Sequence, residues 1–148
     1  MKIAVGFDHG GYNLKETICA LIKSSGNEVV DMGAYTLDSD DDYPDFAIKV
    51  AEEVGSSNVS RGIIVCGSGV GASIAANKIK GVRASVCHDL YSAQQGVEHD
   101  DMNVLCLGGR IIDEAMASSL VKTFLSAGFS GEERHLRRLN KINEIDYR

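Results

Sequence analysis

Proline occurs once in the 148 residues, at Pro44, which excludes collagen-like helices and proline-rich linkers. No apolar run approaches the length of a bilayer span, and Met1-Lys2-Ile3 leads to Asp8-His9 too soon to hold the apolar core of a secretion signal. Cys19, Cys66, Cys87 and Cys106 lack CxxC spacing, so zinc knuckles and dithiol redox motifs do not apply. The expectation is a cytoplasmic protein with free thiols. Basic residues are in deficit, 15 Lys+Arg against 21 Asp+Glu, for a net charge of −6. Such a surface repels nucleic acid and anionic lipid, so neither is an expected partner. A small anionic substrate remains open where a few basic residues gather.

What is present is ordinary globular composition, 44% apolar and 24% charged, with glycine high at 16 residues. The length suits one domain, 1–148. Short apolar runs predict strands over 2–7, 28–32, 61–65, 82–86 and 103–107. Helical spacing predicts helices over 12–25, 44–54, 71–79, 90–97, 112–127 and 133–145, with Pro44 tolerated in a first turn. Alternating strands and helices imply an α/β fold: a Rossmann-like, doubly wound, five-stranded parallel sheet of order 2-1-3-4-5 with helices on both faces. The last helix is extra, with no strand after it, and is a candidate to pack on a partner subunit. Ligands of such sheets bind beyond the carboxyl ends of the strands.

The strongest local signal is Cys66-Gly67-Ser68-Gly69-Val70-Gly71, opening a helix. Its glycines allow close backbone approach, and several N–H groups can converge on an anion at the helix start. The bland alternative is a tight strand-to-helix turn over a structural cysteine. The loop lacks the Gly-Lys-Ser/Thr ending of a Walker loop, the next lysine being Lys78. Ala72 stands where a cysteine phosphatase needs arginine, and a dinucleotide fingerprint here would follow the wrong strand. Asp8-His9-Gly10-Gly11 follows the first strand; Asp8 could serve chemistry or merely cap a helix. His99, placed in a loop between the fourth helix and fifth strand, is a candidate acid or base. A metal held by Cys87, His88 and His99 is only weakly suggested, lacking ligand spacing. Arg134 and Arg138 share one face of the last helix, as a phosphate clamp or as a solvated face paired with Glu132, Glu133 or Glu144. Arg110 is a third basic candidate. Asp38, Asp40, Asp41, Asp42 and Asp45 lack EF-hand spacing and read as a solvated loop.

Beyond these features, Asp8 to Lys15, Tyr43-Pro44-Asp45-Phe46, Gly62 to Gly71, Ser73 to Lys78, Gly81-Val82-Arg83-Ala84 and Asn103-Val104-Leu105 together resemble type B ribose-5-phosphate isomerase. That wider family also holds galactose-6-phosphate isomerase subunits and allose-6-phosphate isomerases. The resemblance covers nearly the whole chain, with motifs in the same order and at the same spacing. It implies an aldose–ketose isomerase needing no metal or other cofactor, acting on ribose 5-phosphate and ribulose 5-phosphate through an enediolate. It further implies Cys66 as the base, Ser68 as a proton relay, His99 in ring opening with Asp8 assisting, and the Gly67, Gly69 and Gly71 region holding the enediolate oxygens. His9, Arg110, Arg134 and Arg138 match phosphate ligands, and Tyr43 a pocket residue. Family members are dimers or dimers of dimers with shared sites, so the last helix would carry its arginines into a neighbour. Two positions depart from the pattern. Asp100 stands where asparagine is usual, with the expectation that it lines the pocket beside a basic neighbour, and Glu132-Glu133 replaces Gly-Gly. A hexose 6-phosphate substrate, or a non-catalytic flavodoxin-like binding module, remains the alternative at this point.

Overall fold

The structure, a computed structural model, describes residues 1–148. Five parallel strands form one sheet: β1 (Lys2–Phe7), β2 (Glu28–Asp31), β3 (Arg61–Cys66), β4 (Ala84–Val86) and β5 (Val104–Gly108). The helices are α1 (Lys15–Ser24), α2 (Tyr43–Gly55), α3 (Val70–Ala76), α4 (Leu90–Asp100), α5 (Glu114–Ser126) and α6 (Glu133–Asn143). Short 3-10 turns precede α1 (Tyr12–Leu14) and follow α6 (Glu144–Tyr147). No helix is long and apolar enough to cross a membrane.

The α/β architecture matches the sequence reading, but the strand order is β2-β1-β3-β5-β4 rather than 2-1-3-4-5. The reason lies in the two last strands. Every residue of β5 is buried, and Val104-Leu105-Cys106-Leu107 offers apolar groups to both faces, so it suits the interior beside β3. β4 has three residues, and Ser85 at its centre is exposed. A short, partly polar strand is tolerated at an edge, where half its backbone groups meet solvent.

Alternation along the strands separates two apolar layers. Ile3, Val5, Phe7, Ile63, Val65, Leu105 and Leu107 face a cluster with Leu14, Ile18 and Ile22 near α1, Ala93 and Val97 of α4, and Leu120, Val121 and Phe124 of α5. Ala4, Ile64, Cys66, Val104 and Cys106 face Ala47, Val50, Ala51 and Val54 of α2 and Ala72 and Ala76 of α3. Cys66 therefore ends β3 on the α2–α3 side of the sheet, directly before the turn into α3.

Helix α4 sets the second half of the geometry. Asp89 caps its start, accepting the Ser92 N–H at 2.7 Å, and Asp101 ends it in the left-handed region at φ 49°. The helix leaves the carboxyl end of β4 and returns to the amino end of β5, where Asn103 C=O accepts the Gly62 N–H at 2.9 Å. It also runs three residues beyond the predicted boundary at 97. His99 thus lies in its last turn, not in a loop. Helix α6 packs on α4 of the same chain through buried His135 and Leu139. Leu136, Ile142 and Ile145 remain exposed.

Candidate active site

At the carboxyl edge, three loops converge on the end of β3. Asp8 follows β1; its backbone N–H reaches Val65 C=O at 3.2 Å. Its Oδ1 accepts the N–H groups of Gly10 at 2.8 Å and Gly11 at 3.1 Å. Asp8 therefore organises the turn that follows β1. Burial is the main influence on this carboxyl and raises its pKa above the ordinary aspartate value, against the opposing pull of the two amides.

The turn after β3 is built around Cys66, whose Sγ accepts the Gly69 N–H at 3.1 Å. Gly69 adopts φ +81°, a conformation that side chains disfavour, and this sends the chain into α3. Gly71 is needed for a different reason: the Tyr43 ring lies against it, so that a β-carbon there would stand 2.5 Å from Tyr43 Cζ. Ser68 is exposed at the tip, and its Oγ accepts the Val70 N–H at 3.3 Å. Arg110 comes from the end of β5. Its backbone N–H binds Gly67 C=O at 3.1 Å, and Gly109 N–H binds Cys66 C=O at 2.7 Å. The Arg110 guanidinium lies over Gly67, with Nη1 3.3 Å from where a β-carbon would stand. Cys66, Ser68, Gly67, Gly69, Gly71, Asp8, His9, Tyr43 and Arg110 accordingly share this edge.

His9 is anchored by a residue that the sequence reading left in solvent. Asp41 Oδ1 accepts the His9 backbone N–H at 3.0 Å and lies 2.7 Å from His9 Nδ1. The Asp41 side chain is only 10% exposed, so the picture of a solvated acidic loop is wrong at this position. Nothing in the linear sequence joins the two, 32 residues apart; the nearest signal is the placement of Asp41 just ahead of Tyr43-Pro44. Asp8, His9 and Asp41 bring one ligand atom each within 4.8 Å of one another. Within this trio His9 Nδ1 and Asp41 Oδ1 are engaged with each other, and Asp8 Oδ1 accepts two amides.

The other expected residues are elsewhere. His99, Asp100, Arg134 and Arg138 sit with the α4 C-terminus and α6. The His99 and His135 rings stack, with centroids 3.9 Å apart. Gln95 Nε2 lies 3.2 Å from His99 Nδ1, and Ser130 Oγ lies 2.6 Å from His135 Nδ1. Arg138 is exposed, and exposed Arg134 reaches Glu132 at 3.2 Å. Asp100 is exposed and lines a cavity of about 530 Å³ with Arg83, Ser85, Ile142 and Ile145. No basic group pairs with it: Arg83 bonds Asp101 at 3.0 Å, and Arg110 belongs to the opposite edge. The weak metal reading fails too. His88 Nε2 accepts the Gly108 N–H at 2.9 Å, Cys87 is buried, and His99 lies at the far end of the sheet.

The distance between the two groups decides what one chain can do. Cys66 pairs with Gly108 at the carboxyl end of β5, whereas α4, with His99 in its last turn, ends at Asp100 just before β5 begins at Val104. At roughly 3.3 Å per residue, the four steps from Val104 to Gly108 separate these ends by about 13 Å. Within one chain Cys66 and His99 are thus carried toward opposite ends of the sheet.

The fold, together with the family match over nearly the whole chain, defines the class: a sugar-phosphate isomerase. The chain belongs to the ribose/galactose isomerase family, whose pattern matches residues 3–142. It is 44% identical to ribose-5-phosphate isomerase B of Escherichia coli over 147 residues, covering 99% of this chain and 97% of that protein. Among solved structures, ribose-5-phosphate isomerase B of Clostridium thermocellum is similar with a TM-score of 0.94 and 50% identity, covering 99% and 98% of the two chains. The enzyme of Mycoplasma genitalium with bound ribulose-5-phosphate is similar with a TM-score of 0.94 and 41% identity, covering 99% and 96%.

Proposed function

We infer that the chain interconverts ribose 5-phosphate and ribulose 5-phosphate. The observation that carries this reading is the convergence of Cys66, Asp8 and His9 beside the Gly67–Gly71 turn, in a chain similar end to end to a protein whose structure holds ribulose-5-phosphate. In the forward direction Cys66 Sγ, as thiolate, takes the proton from C2 of the open-chain aldose. The electrons form the C1–C2 double bond of an enediolate. The same proton is returned to C1, while the hydroxyl proton of O2 passes to O1, so no atom is gained or lost. Backbone N–H groups of the turn stabilise the enediolate oxygens, where charge develops only during reaction. Ser68 relays the oxygen proton, Tyr43 bounds the pocket, and His9 and Arg110 hold phosphate. No cofactor enters these steps.

Ring opening is assigned to His99, with Asp8 assisting. The separation of His99 from Cys66 supports a site shared by two subunits, in a homodimer or a dimer of dimers. His99, Asp100, Arg134 and Arg138 are then supplied by the neighbour. Exposed Val70 and Ile74 on one face of α3, and Leu136 and Ile142 on α6, offer apolar surface for that contact.

The test is a coupled assay on purified protein with ribose 5-phosphate, allose 6-phosphate and galactose 6-phosphate. The expected result is turnover of ribose 5-phosphate with the highest kcat/KM. Preference for either hexose phosphate by tenfold would overturn the pentose reading, and inactivity on all three would overturn the isomerase.

A further inference from the structure

We propose that Asp41 is a positioning residue for substrate phosphate: it holds His9 as an imidazolium with Nδ1 bound and Nε2–H free for the anion. This rests on the reading of His9 as a phosphate ligand.

The geometry is that of an orienting pair. A single oxygen, Asp41 Oδ1, accepts both the His9 backbone N–H and the Nδ1–H. Two bonds to one oxygen fix the ring relative to its own backbone, and an ionised acceptor shortens and strengthens both. The Nδ1 distance of 2.7 Å fits that description. Asp41 is nine-tenths buried while the His9 side chain is 30% exposed, so the carboxylate is behind and the imidazole faces the cleft. Asp41 Oδ2 is buried without a hydrogen-bond partner. An orphaned buried carboxylate oxygen is costly, and a fixed positive charge next to it offsets that cost.

The groups that face His9 are Asp8 from the end of β1, Asp41 from the loop ahead of α2, and Arg110 from the end of β5. The hydrogen bond to Asp41 is the largest influence and raises the His9 pKa. Asp8 adds to it, while partial desolvation and Arg110 oppose it. The net result keeps His9 charged at pH values where a free imidazole is neutral. The site then offers two cations to a phosphate, Arg110 and His9, within a chain of net negative charge.

The test uses Asp41→Asn, which keeps an acceptor oxygen but removes the charge, and Asp41→Ala, which removes both. The His9 ring is followed by NMR titration, and KM and kcat for ribose 5-phosphate are measured from about pH 6 to 8.5. In the wild type His9 should titrate above the ordinary histidine value of about 6.5. In Asp41→Asn the titration should move down, and KM should rise about tenfold above neutral pH with kcat nearly unchanged. Wild-type His9 titrating at or below the free value would overturn the proposal, whatever the variants do. So would an Asp41→Asn enzyme with a wild-type KM profile when Asp41→Ala has lost it, because the carboxylate would then be a structural acceptor. Inorganic phosphate binding to His9→Gln separates the two layers. Undiminished binding there would overturn the phosphate role of His9 itself, and with it the purpose assigned to Asp41.

Discussion

The imidazole rings of His99 and His135 stack face to face, 3.9 Å between centroids and 25° from parallel. His135 is buried, and burial first, then His99, lowers its proton affinity. His135 is thus a packed platform for His99. Gln95 Nε2, 3.2 Å from His99 Nδ1, holds the ring on its other side. His99→Asn should lose turnover of cyclic ribose 5-phosphate by at least about 10²-fold. It should retain exchange of the C1 or C2 proton with an acyclic analogue, measured by solvent deuterium uptake. Equal loss in both assays would remove His99 from ring opening.

Cys66 is buried, yet its sulfur is held by the Gly69 N–H at the mouth of the glycine turn. Cys66→Ala should lower kcat by about 10²–10⁴-fold, the usual cost of losing a positioned base. Binding of ribose 5-phosphate, measured by calorimetry, should change little. A variant that keeps more than about a tenth of wild-type activity is incompatible with the proposed base.

The His88–Gly108 hydrogen bond gives a pH dependence of stability. Burial lowers the His88 pKa, and the Nε2 that accepts the Gly108 N–H must be unprotonated. For a histidine whose folded pKa lies below its unfolded value, the unfolded chain binds the proton first on acidification. Stability is thus full above about pH 6.5 and falls as pH drops from there toward the folded pKa. Urea midpoints at pH 7.5 and 5.5 should show this loss, and His88→Gln should reduce it. His88→Ala should cost about 1–3 kcal/mol by orphaning a buried N–H. An unchanged pH slope in His88→Gln would assign the acid sensitivity to another group.

Much of the fold was legible because β1, β3 and the helix faces follow simple periodicity: Ile3, Val5 and Phe7 against one layer, Ala4 against the other. The order of β4 and β5 was not, since connection rules admit both and the decision rests on how apolar each strand is on both faces. Ser85 and the fully buried β5 carried that information. At the site, the residues that follow β1, β3 and β5 were legible from the rule for parallel sheets. Asp41 was hidden because a run of aspartates looks uniformly solvated, while only one of them meets His9. His135 was hidden because its partner, His99, is brought to it by tertiary packing of α6 on α4.

Asp100 closes α4 with a carboxylate at the negative end of the helix, exposed and without a cation. Asp100→Asn removes that charge and the repulsion it would exert on an anionic sugar phosphate. The expected result is an equal or lower KM for ribose 5-phosphate with kcat intact. At least tenfold weaker binding across about pH 6 to 9 would instead make the carboxylate a required ligand, and would favour another substrate.

The placement of Cys66 and His99 at opposite ends of one sheet makes a shared site the central claim, and subunit mixing tests it most directly. Cys66→Ala and His99→Asn enzymes, each nearly inactive alone, are combined in equal amounts under conditions where subunit exchange is verified by mass. In a two-fold symmetric dimer with shared sites, each hybrid holds one intact site and one doubly damaged site. Random exchange should then restore about a quarter of wild-type ribose 5-phosphate turnover. Verified exchange with no recovery would show that both residues act within a single chain, contrary to the separation that the sheet imposes.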